Sequence, residues 1–386
     1  MQRRAFIATS LAASCLSVGQ SASAAAPQRV PTTQSNAEGF FTLGIWNDRW
    51  VFLDPEGSPF FSVGLNHVDP ATLRYPENIH LWRQKYGNSM QRWLQESVAP
   101  DLRDWGFNCL GWNQEVITRR KTNHRHSRRF TYEEYQWLGL PYCHQLPVGE
   151  FHQWEVETKN PDFFSPGFAD WCDHVAREHC AVFADDPKLI GYFYIDCPTW
   201  LHVRRDNEWK GPLFDERRLA SVDGRAELRA MAKQYYKVTH DAIRRYDPNH
   251  LILGDRYEAN APLVMDIIEG ARGHVDVLSF QDFRSPIDHL DQWHQQSGMP
   301  VLWADGAKGR RIGEGSKLRN DGAWWAEQLA GLTRNTGCVG AHLCGAYLRN
   351  RVRNRGLIGE DDEPDTEMID LIRAANRNAI DAIAKG

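Results

Sequence analysis

Ionisable and amide side chains stand at the ends of eight short apolar runs. Asn66 and His67 close "FFSVGL", Asn113 and Glu115 follow "GFNCLGW", and His144 and Gln145 lie within "LPYCHQLPV". Asp196 ends "LIGYFYI"; Asp255, Arg256 and Glu258 end "LILG"; Gln281 and Asp282 end "VDVLSF". Asp305 ends "PVLWA", and His342 and Tyr347 stand in "VGAHLCGAYL". One such residue is most often a satisfied loop group. Eight in phase describe a convergent polar mouth, which costs desolvation and is kept where a ligand binds. Its carboxylates, Asp196 and Asp305 foremost, suit acid–base or nucleophilic work on a polar substrate. The competing reading of Asp196 is a structural ion pair with Arg256. Asn113 could hold a hydroxyl, and Trp200 could stack on a sugar face.

The runs cover residues 60–65, 106–112, 140–147, 189–195, 251–256, 275–282, 300–305 and 338–346. Amphipathic helical patterns separate most of them, as in "RAELRAMAKQYYKVTHDAIRRY", and Ser165-Pro166 is an N-cap with proline at the first helical position. Short buried strands alternating with helices predict an α/β protein, a closed (β/α)₈ TIM barrel. The barrel is a single domain over 39–386, preceded by a short β-hairpin whose turn is Asp54-Pro55-Glu56-Gly57. No Gly-rich phosphate loop follows any strand, which counts against an open doubly wound sheet. In a barrel the C-terminal strand ends share one site, so the polar residues gather there.

The first 26 residues read as an export signal: Arg3-Arg4, a short apolar run, then Ala22-Ser23-Ala24. The paired arginines fit the twin-arginine route, and the expected location is periplasmic or secreted. Residues 27–38 read as a polar linker. A net charge of -5 excludes the basic footprint of a nucleic-acid partner, and no membrane contact is expected once the signal is gone. The 15 tryptophans suit either carbohydrate stacking or a large core. Neither Cys/His metal spacing nor a cofactor motif occurs, so no metal and no cofactor are expected. Most cysteines read as buried thiols.

Together, "WVFLDPEGSPFFSVGLNH", "GFNCLGWN", "DDPKLIGYFYIDCPTW", "DPNHLILGDRY", "VDVLSFQDF" and "MPVLWADGA" resemble clan A glycoside hydrolases, nearest to agarase-like and β-galactosidase-like members. The resemblance spans nearly the whole mature chain. It implies a retaining pair about 5–5.5 Å apart, an acid/base glutamate after strand 4 and a nucleophile after strand 7. Here the acid/base position is Pro198 and the nucleophile position is Asp305 rather than Glu.

Three readings follow. In the first, Asp196, on the same face as Pro198 but two residues earlier, joins Asp305 in a rebuilt and wider pair, suited to inversion at about 6.5–9.5 Å. Asn66, His67, Asn113, His144, Trp200, Arg256, Gln281, Asp282 and His342 then bind a poly- or oligosaccharide. An acidic glycan is one option, given the basic "RNRVRNRG" over 349–356. In the second, the mouth eliminates across an acidic glycan, with Arg256, His144, His67 and Tyr194 as candidates. In the third, the barrel binds carbohydrate without turning it over.

Overall fold

The structure, a computed structural model, describes residues 26–115, 127–148, 162–198, 200, 217, 220–261, 263–311, 318–350 and 353–385. Eight parallel strands close a barrel: β1 (Ser62–Leu65), β2 (Cys109–Leu110), β3 (Tyr142–Gln145), β4 (Leu189–Asp196), β5 (Leu251–Glu258), β6 (Leu278–Gln281), β7 (Val301–Gly306) and β8 (Cys338–Leu343), with β8 beside β1. Each lies within or close to a run expected from sequence; the second is shorter, because only Cys109 and Leu110 pair on the barrel.

Helices form the outer layer, the longest being Val222–Tyr246, Thr366–Lys385 and Pro166–Phe183. The cap before Pro166 is present, Ser165 Oγ accepting from Phe168 N. The helical segment after β1 is broken into pieces. Gly87, at φ 60, ends Ile79–Tyr86, and the chain resumes through Met90–Trp93, a π-turn at Leu94–Val98 and Ala99–Asp104.

The N-terminal hairpin is part of a four-stranded antiparallel ribbon of Gln28–Arg29, Thr42–Trp46, Arg49–Leu53 and Pro59–Phe60. Asn47 and Asp48 turn its middle at φ 49 and 60, the left-handed pair a two-residue hairpin requires. Asp54 Oδ1 pins the next turn by accepting from the Glu56 and Ser58 amides. Phe41, Leu43 and Phe52 of this ribbon join one buried cluster with Ile190, Leu251, Val277, Leu302 and Val339 from the barrel interior. They plug the end opposite the site, each such side chain contributing about 1.5–3 kcal/mol. Part of the expected linker is tied down too: Thr33 N and Oγ1 both donate to Asp276.

All seven cysteines after residue 26 are buried, and none forms a disulfide. A short antiparallel pair, Gly309–Arg311 with Leu318–Asn320, follows β7 and was not expected from sequence. No helix among the described residues is long and apolar enough to cross a membrane.

Candidate active site

Arg256 occupies the centre of the barrel's C-terminal end. It lies inward on β5, 1% exposed, with its guanidinium 4.4 Å above the ring of Trp112. Nε and Nη2 both donate to Asp196 Oδ1, at 2.9 and 2.6 Å, and Nη2 lies 3.7 Å from Asp305 Oδ2. Asp196 and Arg256 are level in the β4–β5 register. Burial opposes the charge on Arg256, but the Asp196 and Asp305 carboxylates outweigh it and raise its pKa.

Asp305, 3% exposed, accepts from Asn66 Nδ2 at 2.6 Å on its other oxygen. Asn66 is itself fixed: Nδ2 also reaches Ala304 O, and Oδ1 accepts from Trp112 N. Gly111 makes room for it, since a Cβ there would lie 2.2 Å from Asn66 Oδ1. Asp196 and Asp305 thus share a guanidinium. The two oxygens nearest it can be no further apart than 2.6 and 3.7 Å laid end to end.

A second cluster adjoins the first. His67, at φ 62, places Nδ1 against the Gln114 carbonyl and Nε2 2.7 Å from Arg353 Nη2. The carbonyl can only accept and the guanidinium can only donate, so both contacts suit the neutral ring protonated on Nδ1. Arg353 also pairs with Glu115 at 2.9 Å and touches Cys344 Sγ at 3.1 Å. Burial, then Asp305, pushes the Cys344 thiol up to about 11. His67, Asp305 and Cys344 bring their ligand atoms within 4.8 Å of one another. Arg353 donates into that group, so its donor set is already answered by a cation.

Gln281 Nε2 lies 3.1 Å from Glu258 Oε1 and 2.6 Å from Cys197 Sγ, spanning from β6 over β5 to the residue after β4. Cys197 has φ 51. Asn113 Oδ1 accepts from Val68 N, and Asn113 N donates to Gln145 Oε1. Three buried donors at these strand ends, Arg256 Nη1, Asn113 Nδ2 and Gln145 Nε2, find no acceptor among the described residues. Buried donors of this kind are normally satisfied, and a hydroxylated ligand would do so.

Other expected site residues lie elsewhere. His144 faces outward from β3, contacting Tyr135 Oη at 3.2 Å and His179 at 3.1 Å in the helical layer; burial, then His179 and Arg129, holds its pKa well below the usual histidine value. Trp200 is 1% exposed and packs on Phe163, Tyr235 and Tyr236, so it presents no face to a sugar. Asp282 accepts from Arg284 N, Ser285 N and His289 at the start of the helix Pro286–Ser297, a structural role. His342 lies inside the barrel, bonded to Ser62 Oγ at 2.8 Å; burial, then Arg256, lowers its pKa to about 3. Tyr194 is likewise buried at 0% exposure. Glu115 and Arg353 were not linked by the sequence, which gives no signal for a pair 238 residues apart.

No protein-family model matches the chain, and no curated protein does. Solved structures do. An agarase superposes with a TM-score of 0.68 at 19% identity over 90% of this chain and 64% of its own. An exo-β-agarase gives 0.69 at 16% identity, over 93% of this chain and 69% of its own. A β-galacturonidase from Eisenbergiella tayi bound to galacturonate gives 0.53 at 14% identity, over 88% and 54%. The chain therefore spans about two thirds or less of the length of these neighbours. With the closed eight-stranded parallel barrel, the likeness makes the fold that of a glycoside hydrolase-like (β/α)₈ barrel.

Proposed function

We propose that this chain is an exported glycoside hydrolase acting on a poly- or oligosaccharide, with Asp305 as the carboxylate that attacks the anomeric carbon. The observation that carries the reading is the placement of Asp305. It lies at the end of β7, with Asn66 on one oxygen and Arg256 beside the other, at the barrel end where three buried donors lack acceptors among the described residues. Asp196 fixes Arg256: both of their hydrogen bonds fall on one Asp196 oxygen, which leaves that oxygen an acceptor. Arg256 in turn steadies the charge that Asp305 carries before attack and regains on release. Export rests on Arg3, Arg4 and the small residues Ala22-Ser23-Ala24.

Elimination is less well supported, because His144 and Tyr194, two of the proton acceptors it would draw on, are turned into the helical layer. The basic run after β8 gives little support to an acidic substrate: Arg353 is paired with Glu115, and Arg349 donates to the Asn354 carbonyl.

The test is a panel of agarose, aryl β-glucuronides and aryl β-galacturonides, chosen from what the structural neighbours are named for, with aryl β-galactosides added from the sequence resemblance. Hydrolysis releases reducing ends or a phenol and forms no unsaturated uronate, elimination forms the unsaturated uronate, and a binding protein gives neither. Asp305→Asn should lower turnover by about 10³-fold or more, the scale of losing a group that acts in the transition state. Full turnover by that variant would remove Asp305 from the mechanism.

A further inference from the structure

Among the described residues, the hydrolase reading has so far named no proton donor. Pro198 stands where the resemblance places one, and Asp196 is held by Arg256. We infer that Glu258, at the end of β5, is the general acid of this site. This rests on the reading of Asp305 given above.

The register carries the argument. Asp196 pairs with Arg256 across β4 and β5, and Cys197 N donates to Arg256 O at 3.1 Å. β4 ends at that pair, and β5 runs two residues further, to Glu258. Glu258 also shares the inward face with Arg256, since residues two apart on a strand point the same way. On its other side, Gln281 is in register with both Glu258 and Asp305. Glu258, Gln281 and Asp305 thus form one level across three adjacent strands. Strands about 4.8 Å apart put the outer two backbones roughly 10 Å from each other, and inward side chains shorten that toward the separation of about 5–5.5 Å of a retaining carboxyl pair.

Exposure separates Glu258 from its neighbours. Glu115, Asp196, Asp255, Asp282 and Asp305 are all buried, whereas Glu258 is half-buried and stands one level above Arg256. A general acid must exchange protons with water between turnovers. Gln281 Nε2 donates to Oε1 at 3.1 Å, which orients the carboxyl group without adding charge.

In the step assigned to it, the Glu258 carboxylic acid gives its proton to the glycosidic oxygen as the C1–O bond breaks. The electron pair of that bond leaves with the oxygen, while an Asp305 oxygen bonds to C1. Water, deprotonated by Glu258, then attacks C1, releases Asp305 and restores the acid. The net change is glycoside plus water to sugar plus alcohol.

The experiment uses the full chain with phenyl and 2,4-dinitrophenyl β-glycosides of galactose, glucuronic acid and galacturonic acid. The dinitrophenolate leaves without a proton and phenolate does not. Glu258→Ala should lose about 10²–10⁴-fold on the phenyl substrate, the usual worth of a general acid, and far less in the first step on the dinitrophenyl one. Azide should restore turnover and yield a glycosyl azide, and the alkaline limb of the pH profile should vanish. Equal losses on both leaving groups, or no loss on either, overturn the assignment to Glu258 alone. Asp305→Asn must fail on both substrates; if it does not, the hydrolase reading falls independently of Glu258. Absence of wild-type turnover on every glycoside overturns both.

Discussion

Arg256 gives two hydrogen bonds to a single oxygen of Asp196 and holds the same Nη2 within 3.7 Å of Asp305. A cation at 1% exposure is stable there because two carboxylates face it. Arg256→Met would leave those carboxylates buried without it. The expected cost is about 3–5 kcal/mol, the range for breaking a buried ion pair by removing one partner. Arg256→Met combined with Asp196→Asn should be less destabilised than the sum of the single changes, a coupling that urea unfolding of the four proteins would measure. Additivity would mean that the pair is not energetically linked.

Two buried groups oppose each other in acid. His342 titrates near 3 in the fold because burial, then Arg256, disfavours its charge, and near 6.5 when unfolded. Its contribution is fully present above about 6.5 and is lost as pH falls, since the unfolded chain takes the proton first, at about 1.4 kcal/mol per pH unit. Asp255 runs the other way. Burial raises it to about 6, against hydrogen bonds from Tyr236 and Tyr235, so its contribution is present below about 3.9 and fades as pH rises to about 6. Between about pH 4 and 6, His342→Gln should flatten the acid loss of stability and Asp255→Asn should steepen it. Chemical denaturation at several pH values reads both slopes; a common slope for all three proteins would contradict the assignment.

Metal removal is a separate check on the His67–Asp305–Cys344 cluster. Because Arg353 donates to His67 and Cys344, a divalent ion would have to displace a guanidinium. Dialysis against EDTA should leave both turnover and Tm unchanged. A loss reversed by Zn²⁺ would show that Arg353 swings away and that the cluster binds the ion.

The barrel was legible because buried parallel strands are continuous apolar runs, and the polar end of each run marks the side of the site. Which polar residue faces the axis was not legible. In "YCHQ" every position is buried, so hydrophobic alternation cannot set the phase, and His144 was placed in the mouth when Gln145 is the inward residue. β4 and β7 carry register shifts before Asp196 and around Asp305; those irregularities, absent from any local pattern, bring the two aspartates to one arginine. Trp200 was misplaced for a different cause. Its ring packs against Tyr235 and Tyr236 in the helical layer, an aromatic nest that only the fold assembles.

The Asn66–Asp305 contact can be broken without altering either residue. At Gly111 an added Cβ would meet Asn66 Oδ1 at 2.2 Å and His342 Nδ1 at 2.7 Å, below any tolerable contact. Gly111→Ala should therefore push the Asn66 amide off Asp305 while leaving every ionisable group in the chain. Asn66→Ala removes the same donor directly and leaves Asp305 Oδ1 and Trp112 N without their partner, at about 1–3 kcal/mol of stability. If Asn66 orients Asp305 for attack, both variants should lower kcat by about 10–10²-fold with KM little changed, since a misplacement of about 1 Å costs that much. A purely structural role would give the stability loss in unfolding experiments and leave kcat per folded molecule at the wild-type value.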